Sequence, residues 1–367
     1  MAVWPRRLAL VVAPVSGESF ASWVDRMAVR NGCPPWTIVE SLGLDVRAVS
    51  GDVRSLAYGI VATPEVHLAI AAVTGVGAET VRELHLDVFN GSAVDLAGVR
   101  VGDKESLRRA EAREWAQFFG SRACSECLAT SGGAWQVWWK LGWAAVCPIH
   151  RVLLMDHCPT CRVRIRRGPA GQPRGLSRTR VPTPLQCGAI LSGGVCDQSI
   201  PQIRPSAVSN ELVHAQQMML EVATRRRPAL IAGQVVNAGQ WFAALKAVAM
   251  LVRLGMPDVL PLLDAMSPDG RRAVAAEALG HRWNRAGSAG RFGMLPQTAL
   301  VAAGLLAVAI EVVAVEGESE LATRLKSLAA AARIRWNGRR PDPLAELDLP
   351  SVFAAALDAM PRRGRRS

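Results

Sequence analysis

Seven of the eight cysteines fall within the 73 residues from Cys124 to Cys196, ordered Cys124-x2-Cys127-x19-Cys147-x2-His150, then Cys158-x2-Cys161, then Cys187 and Cys196. Two residues between soft ligands let one tight turn present both to a single tetrahedral Zn²⁺, and a second such pair about twenty residues later completes the shell. A chain with this pattern builds its middle around metal-bound turns. The first quartet, Cys124, Cys127, Cys147 and His150, fills all four positions and leaves none for an activated water, so it reads as a structural zinc site. A second structural zinc draws on Cys158, Cys161, Cys187 and Cys196. These must meet across a long loop and then across eight further residues, and His157 and Asp197 are substitutes in that shell. Buried apolar thiols or a disulfide set are the alternative for both groups. Cys33 stands alone and reads as a small core residue.

The segment between Cys161 and Cys187 carries Arg162, Arg164, Arg166, Arg167, Arg174, Arg178 and Arg180 and no acid. Such a stretch does not bury itself but reaches phosphates, so these arginines are candidate nucleic-acid contacts, with a solvated insertion as the alternative. The whole chain agrees in sign. Its 43 basic and 31 acidic residues give a formal charge of +12, which favours an anionic partner, nucleic acid first; arginine suits bidentate phosphate contact, although a GC-rich genome biases composition the same way.

Half of the 367 residues are hydrophobic, enough for two or three domains with buried cores, and this excludes a disordered tail protein. The opening MAVWPRRLALVVAPVSG imitates a signal peptide, but the apolar run stops at Pro14 without a small-x-small cleavage site. With ligand-like cysteine pairs, this predicts a reducing, cytoplasmic location. The apolar stretch Ala299 to Ile310 is too short to span a bilayer and reads as a buried helix, so no membrane partner is expected.

The predicted fold is mainly α with a small zinc-stabilised knuckle and hairpin region. Residues 1–120 form an N-terminal helical domain, 121–205 a tandem zinc-finger region with the arginine-rich loop, 206–340 a C-terminal helical domain, and 341–367 a short helix and basic tail. The middle region is expected to have little regular core, metal taking its place. Beyond residue 206, periodic segments at Ser209–Arg226, Gln240–Leu254, Pro268–Leu279, Thr298–Val315 and Ser319–Arg335 predict a bundle or stacked helix pairs. Leu68 to Leu84 is a helix-turn-helix candidate: Ala71 allows close approach, Gly75 takes the turn, and Val81 locks the second helix. That second helix offers Glu79, Thr80, Arg82 and Glu83, and its two acids weaken a phosphate-facing role.

The segment from Pro14 to Ala28, with Gly17-Glu18-Ser19, Ser22-Trp23 and Arg26, resembles the opening of the TniQ/TnsD family of transposition target-selection proteins. The similarity continues through Cys124 and Cys127, the tryptophans Trp135 to Trp143, Cys147-Pro148-Ile149-His150 with Leu153-Leu154, and Cys158-Pro159-Thr160-Cys161, over about residues 14–200. In physical terms Ser19 is placed as an N-cap, Trp23 and Met27 share one helical face, and Glu18 reads as a cap or salt-bridge residue. The resemblance implies a non-catalytic adaptor that recognises a DNA site or a CRISPR effector complex. It further implies partners: a AAA+ ATPase transposition regulator and, through it, a DDE transposase complex. A second copy of the chain is another candidate partner. The alternative from another class is a zinc-containing helix-turn-helix transcription regulator. A zinc hydrolase is disfavoured because the remaining histidines, His67, His85, His214 and His281, are scattered and no catalytic constellation is apparent.

Overall fold

A computed structural model describes residues 7–44, 58–165, 180–192, 194–283, 293–332, 344 and 346–358. Arg166, Arg167, Arg174 and Arg178 lie outside the described residues, as does the terminal PRRGRRS segment. Among the described residues about half are helical and three two-stranded antiparallel sheets are present; the chain divides into two compact units. The first comprises residues 1–90 and 94–207, the second residues 91–93 and 208–367.

In the first unit, α1 (Phe20–Asn31) and α2 (Pro35–Ser41) pack together, and α3 (Pro64–Thr74) packs against α4 (Ala78–Glu83). Trp23 and Met27 are fully buried on one face of α1, joined by Phe20, Ile38, Ile70, Val73 and Val81 in a single apolar cluster, with Cys33 packed at its edge. At the α3–α4 turn Gly75 is left-handed at φ 75°, its N–H donates to Ala71 O at 2.8 Å, and Val81 is buried. The α4 helix is six residues long, and Glu79 on its surface is tied up by Arg82. After α5 (Lys104–Arg113) come α6 (Ser125–Ser131) and the hairpins β1 (Val146–Cys147) with β2 (Val152–Leu153) and β3 (Ile190–Leu191) with β4 (Gly194–Val195).

Contrary to expectation, the middle region has a core of its own. Trp135, Val137, Trp139, Leu141, Trp143 and Val146 are all buried, and Trp143 lies 4.6 Å from Trp115 between ring centroids. Four large aromatic bodies in about thirty residues bury enough apolar surface to fold the segment without relying on metal alone.

One histidine beneath α4 makes this unit sensitive to acid. His85 is buried, stacked on Phe20 at 4.7 Å, and its Nδ1 donates to Val81 O at 3.0 Å. Burial, reinforced by nearby His67, pushes its pKa down to about 3. Unfolded, the ring titrates near 6.5, so its contribution is intact above that pH and is lost as pH falls from there towards 3. Asp87 runs the other way, because burial raises it to about 6 and its contribution fades as pH rises through that range. Comparing two proteins that share Asp87 cancels its effect. The penalty for His85→Gln should therefore shrink by about 2 kcal/mol between pH 7 and pH 5, at about 1.4 kcal/mol per pH unit. Denaturant melts at the two pH values measure this, and a constant penalty would show that the ring takes up a proton in the folded state.

The second unit is a helical bundle: α7 (Asn210–Ala223), the hairpin β5 (Ala229–Ile231) with β6 (Gln234–Val236), α8 (Ala238–Gly255), α9 (Pro268–Trp283), α10 (Ala299–Val313), α11 (Glu318–Ala332) and α12 (Ser351–Asp358). The apolar run read as a buried helix is α10, which packs against α7, α8, α9 and α11 and is capped by Thr298, whose hydroxyl accepts from Val301 N–H. Ser209 and Asn237 cap α7 and α8 in the same way. Arg253 on α8 is buried, its two terminal nitrogens engaged by Glu277 at 2.5 Å and Met294 O at 2.7 Å. Among the described residues no helix is long and apolar enough to cross a membrane.

Candidate metal centres

The first quartet assembles from three elements. Cys124 occupies the cap position of α6, Cys127 sits in its first turn, Cys147 ends β1, and His150 lies in the turn that leads to β2. A mutual bridge between Ala123 and Met155, with N–H···O distances of 2.9 and 2.8 Å, holds the start of α6 beside the hairpin. His150 Nδ1 lies 3.4 Å from Cys124 Sγ, 3.2 Å from Cys127 Sγ and 3.5 Å from Cys147 Sγ, and the Cys127 and Cys147 sulfurs are 3.5 Å apart. Tetrahedral ligands with metal bonds of about 2.0–2.3 Å lie roughly 3.5–3.8 Å from one another, so the four atoms already outline a metal's shell.

The second quartet also converges. Cys158 and Cys161 occupy a turn, and the eight residues between Cys187 and Cys196 fold back as the β3–β4 hairpin. Gly188 N–H donates to Cys196 O at 2.7 Å and Cys196 N–H to Ala189 O at 2.9 Å, which sets the two cysteines across from each other. The Cys158 and Cys196 sulfurs are 3.9 Å apart, those of Cys161 and Cys187 3.5 Å, and all four lie within 4.8 Å. His157 is not needed as a substitute: it pairs with Asp156 at 2.5 Å, and neither His157 nor Asp197 belongs to the cluster. All eight cysteines are free, and these separations are far beyond the roughly 2.05 Å of a disulfide. Each quartet can hold one metal ion with four protein ligands.

The electrostatics suit a cation. Hydrogen bonds from the Cys124 and Cys127 thiols, helped by the N–H of His150, pull Cys147 down to about 2. Their sulfur partners and burial push Cys127 up. Without metal, one sulfur carries the charge for three. A divalent ion lets all three ionise, so metal uptake expels protons. In the second quartet burial raises Cys158, yet the N–H groups of Cys161 and Thr160 and the Cys187 thiol outweigh it and leave it near 7.

The N-terminal motif is clamped to this region. Gly17 is left-handed at φ 73° and its O accepts from Val137 N–H at 2.8 Å; Ser19 N–H donates to Trp135 O at 2.7 Å. The Glu18 carboxylate, buried, accepts from Val15 N–H at 3.0 Å, Ser22 Oγ at 2.7 Å and Arg26 at 2.7 Å, while Ser22 Oγ in turn accepts from Trp135 N–H at 2.8 Å. Ser19 does stand at the cap position of α1, but its hydroxyl makes no capping bond; its backbone does the work.

Two basic residues that the sequence did not single out complete the frame. Arg122 is buried and donates to Gly142 O at 2.9 Å and Ala144 O at 2.5 Å, and Lys140 Nζ reaches the carbonyls of Gln117, Phe118 and Gly120. Nothing in a chain rich in basic residues marks these two as internal. Of the candidate arginines, Arg162, Arg164 and Arg180 are described; Arg164 donates to Gln117 Oε1 at 3.3 Å, and Arg162 is exposed beside the second quartet.

No curated protein matches the chain. Residues 9–154 match the family described as TniQ, a span that begins before the Gly17 clamp, takes in the whole first quartet, and ends four residues short of Cys158. Over that region, about two fifths of the chain, the sequence is similar to the TniQ family.

Proposed function

We propose that this chain is a non-catalytic target-selection adaptor of a bacterial transposition system, with zinc in both quartets. The observation that carries the reading is the TniQ match, which covers both the N-terminal clamp and a fully ligated cluster. Thiolate and imidazole donors in closed tetrahedra favour zinc as a structural ion and leave no coordination position for substrate. The adaptor binds nucleic acid or a CRISPR effector complex and recruits a AAA+ ATPase regulator, which brings the DDE transposase. The high positive charge supports the anionic partner. The turn geometry between α3 and α4 is the one feature favouring a transcription regulator, but the short α4 with Glu79 paired to Arg82 offers little to a groove.

Reconstitution tests the reading. With a AAA+ ATPase regulator and a DDE transposase supplied in the same reaction, insertion into a chosen target should require the chain, and the purified chain should pull down the ATPase. Site-selective insertion without it, or metal-dependent cleavage of plain DNA by the chain alone, would overturn the proposal.

A further inference from the structure

The two Cys-Pro turns share a backbone feature at the residue that follows the second ligand of each. Arg151 follows His150 and Arg162 follows Cys161, and both are left-handed, at φ 58° and 59°. Each turn closes identically, Arg151 N–H donating to Cys147 O and Arg162 N–H to Cys158 O, both at 2.8 Å. This conformation is unfavourable for any residue with a Cβ and free for glycine. Elsewhere the first unit fills it with glycine: Gly32 at 61°, Gly132 at 64°, Gly188 at 59°. Among the described residues only Arg225 and Ala232 are further exceptions, so two of four fall at the same place in two knuckles.

Strain kept twice at one position implies that the side chain is used. Packing is not its use, since both arginines are exposed, and no hydrogen bond or ion pair engages either guanidinium among the described residues. Each stands on a turn pinned by two clustered ligands, so little backbone freedom is lost when the guanidinium meets a partner. The chain as a whole carries a formal charge of +12, and the sequence from Cys161 to Cys187 adds arginines without an acid.

We propose that Arg151 and Arg162 form a matched pair of phosphate contacts, each mounted on a metal-binding turn and directed at the phosphodiester backbone of nucleic acid. This rests on the nucleic-acid part of the function proposed above and assigns it to residues, Arg151 among them, that lie partly outside the arginine-rich loop.

The test uses the full-length, zinc-loaded chain with the double variant R151G/R162G and, as a charge-keeping control, R151K/R162K. Binding is measured across a salt series on a short duplex DNA and a single-stranded RNA of equal length and arbitrary sequence. Glycine relieves the backbone, so the melting temperature should hold or rise by about 1–3 °C. Affinity should nevertheless fall about tenfold or more, and the slope of log K against log salt should become shallower by about 1.8 on duplex DNA, or about 1.4 if single-stranded RNA is the ligand. The lysine pair should keep the wild-type slope. Unchanged affinity and slope in the glycine pair, with the wild type binding, would overturn this assignment alone. A large drop in melting temperature would overturn it by showing that the side chains are structural. A wild type that binds neither probe would remove the nucleic-acid part of the proposed function as well.

Discussion

Cys124→Ser is expected to remove one of two metal ions per chain and to lower the melting temperature of the first unit by about 8–15 °C. The Cys124 thiol would tie α6 to β1 and the His150 turn through a shared ion, adding to the Ala123–Met155 backbone bridge, since the four ligand atoms converge from separate elements. A hydroxyl is a far weaker ligand than a thiolate, and the binding free energy of a structural metal is folding free energy. The full value seen in zinc-finger peptides, about 10–16 kcal/mol, is not expected, because Trp135, Trp139 and Trp143 keep a packed core when the knuckle opens. A loss of about 3–5 kcal/mol in a unit of roughly 200 residues gives the stated shift. Elemental analysis and a tryptophan-fluorescence melt read the two effects separately. Cys33→Ser, outside both quartets, should keep both ions; a Cys124→Ser protein that keeps both ions and melts normally would show that the first quartet is not a metal centre.

Both quartets were legible because ligand spacing is local chemistry: Cys-x2-Cys and Cys-Pro-x-His place two donors on one turn whatever surrounds them. The α3–α4 turn was legible for a similar reason, a left-handed glycine at a fixed distance from Ala71 and Val81. What the sequence could not show was closure between distant segments. Cys187 and Cys196 enter the second quartet from the sequence with no tight turn to join them, because eight intervening residues do not announce themselves as a hairpin; the β3–β4 pairing makes them neighbours. The tryptophans looked like parts of a loose knuckle because the region around them is rich in glycine and proline; their burial depends on Lys140, Arg122 and the N-terminal clamp meeting them in space. Ser19 looked like a cap because serine before a helix usually is one. Its backbone N–H and C=O are instead committed, to Trp135 O and Trp23 N–H.

Glu18→Ala should destabilise the first unit about as much as losing a metal ligand, with both metals retained. The side chain is fully buried and holds three donors, one of them the Arg26 guanidinium at 2.7 Å, itself only 17 % exposed. Burial raises the Glu18 pKa despite the Val15 N–H, the Ser22 hydroxyl and Arg26, which marks how much desolvation these partners must offset. Removing the carboxylate leaves that compensation one-sided and an arginine nearly buried without its acid, a change that costs about 3–5 kcal/mol. Loss spreads further, because Ser22 is fixed by Glu18 and also receives Trp135 N–H, the link to the tryptophan core. Glu18→Gln keeps an oxygen but turns a donor towards Val15 N–H or Arg26, so it should fall between wild type and Glu18→Ala. Arg26→Ala combined with Glu18→Ala should cost less than the sum of the two, since each single change already breaks the same pair. Thermal melts with metal analysis distinguish this clamp from chemistry: additive losses would show that Glu18 and Arg26 do not act as a pair, and a Glu18→Gln protein with wild-type stability and abolished insertion in the reconstituted system would make Glu18 a reacting group instead of the bolt between α1 and the region of the first quartet.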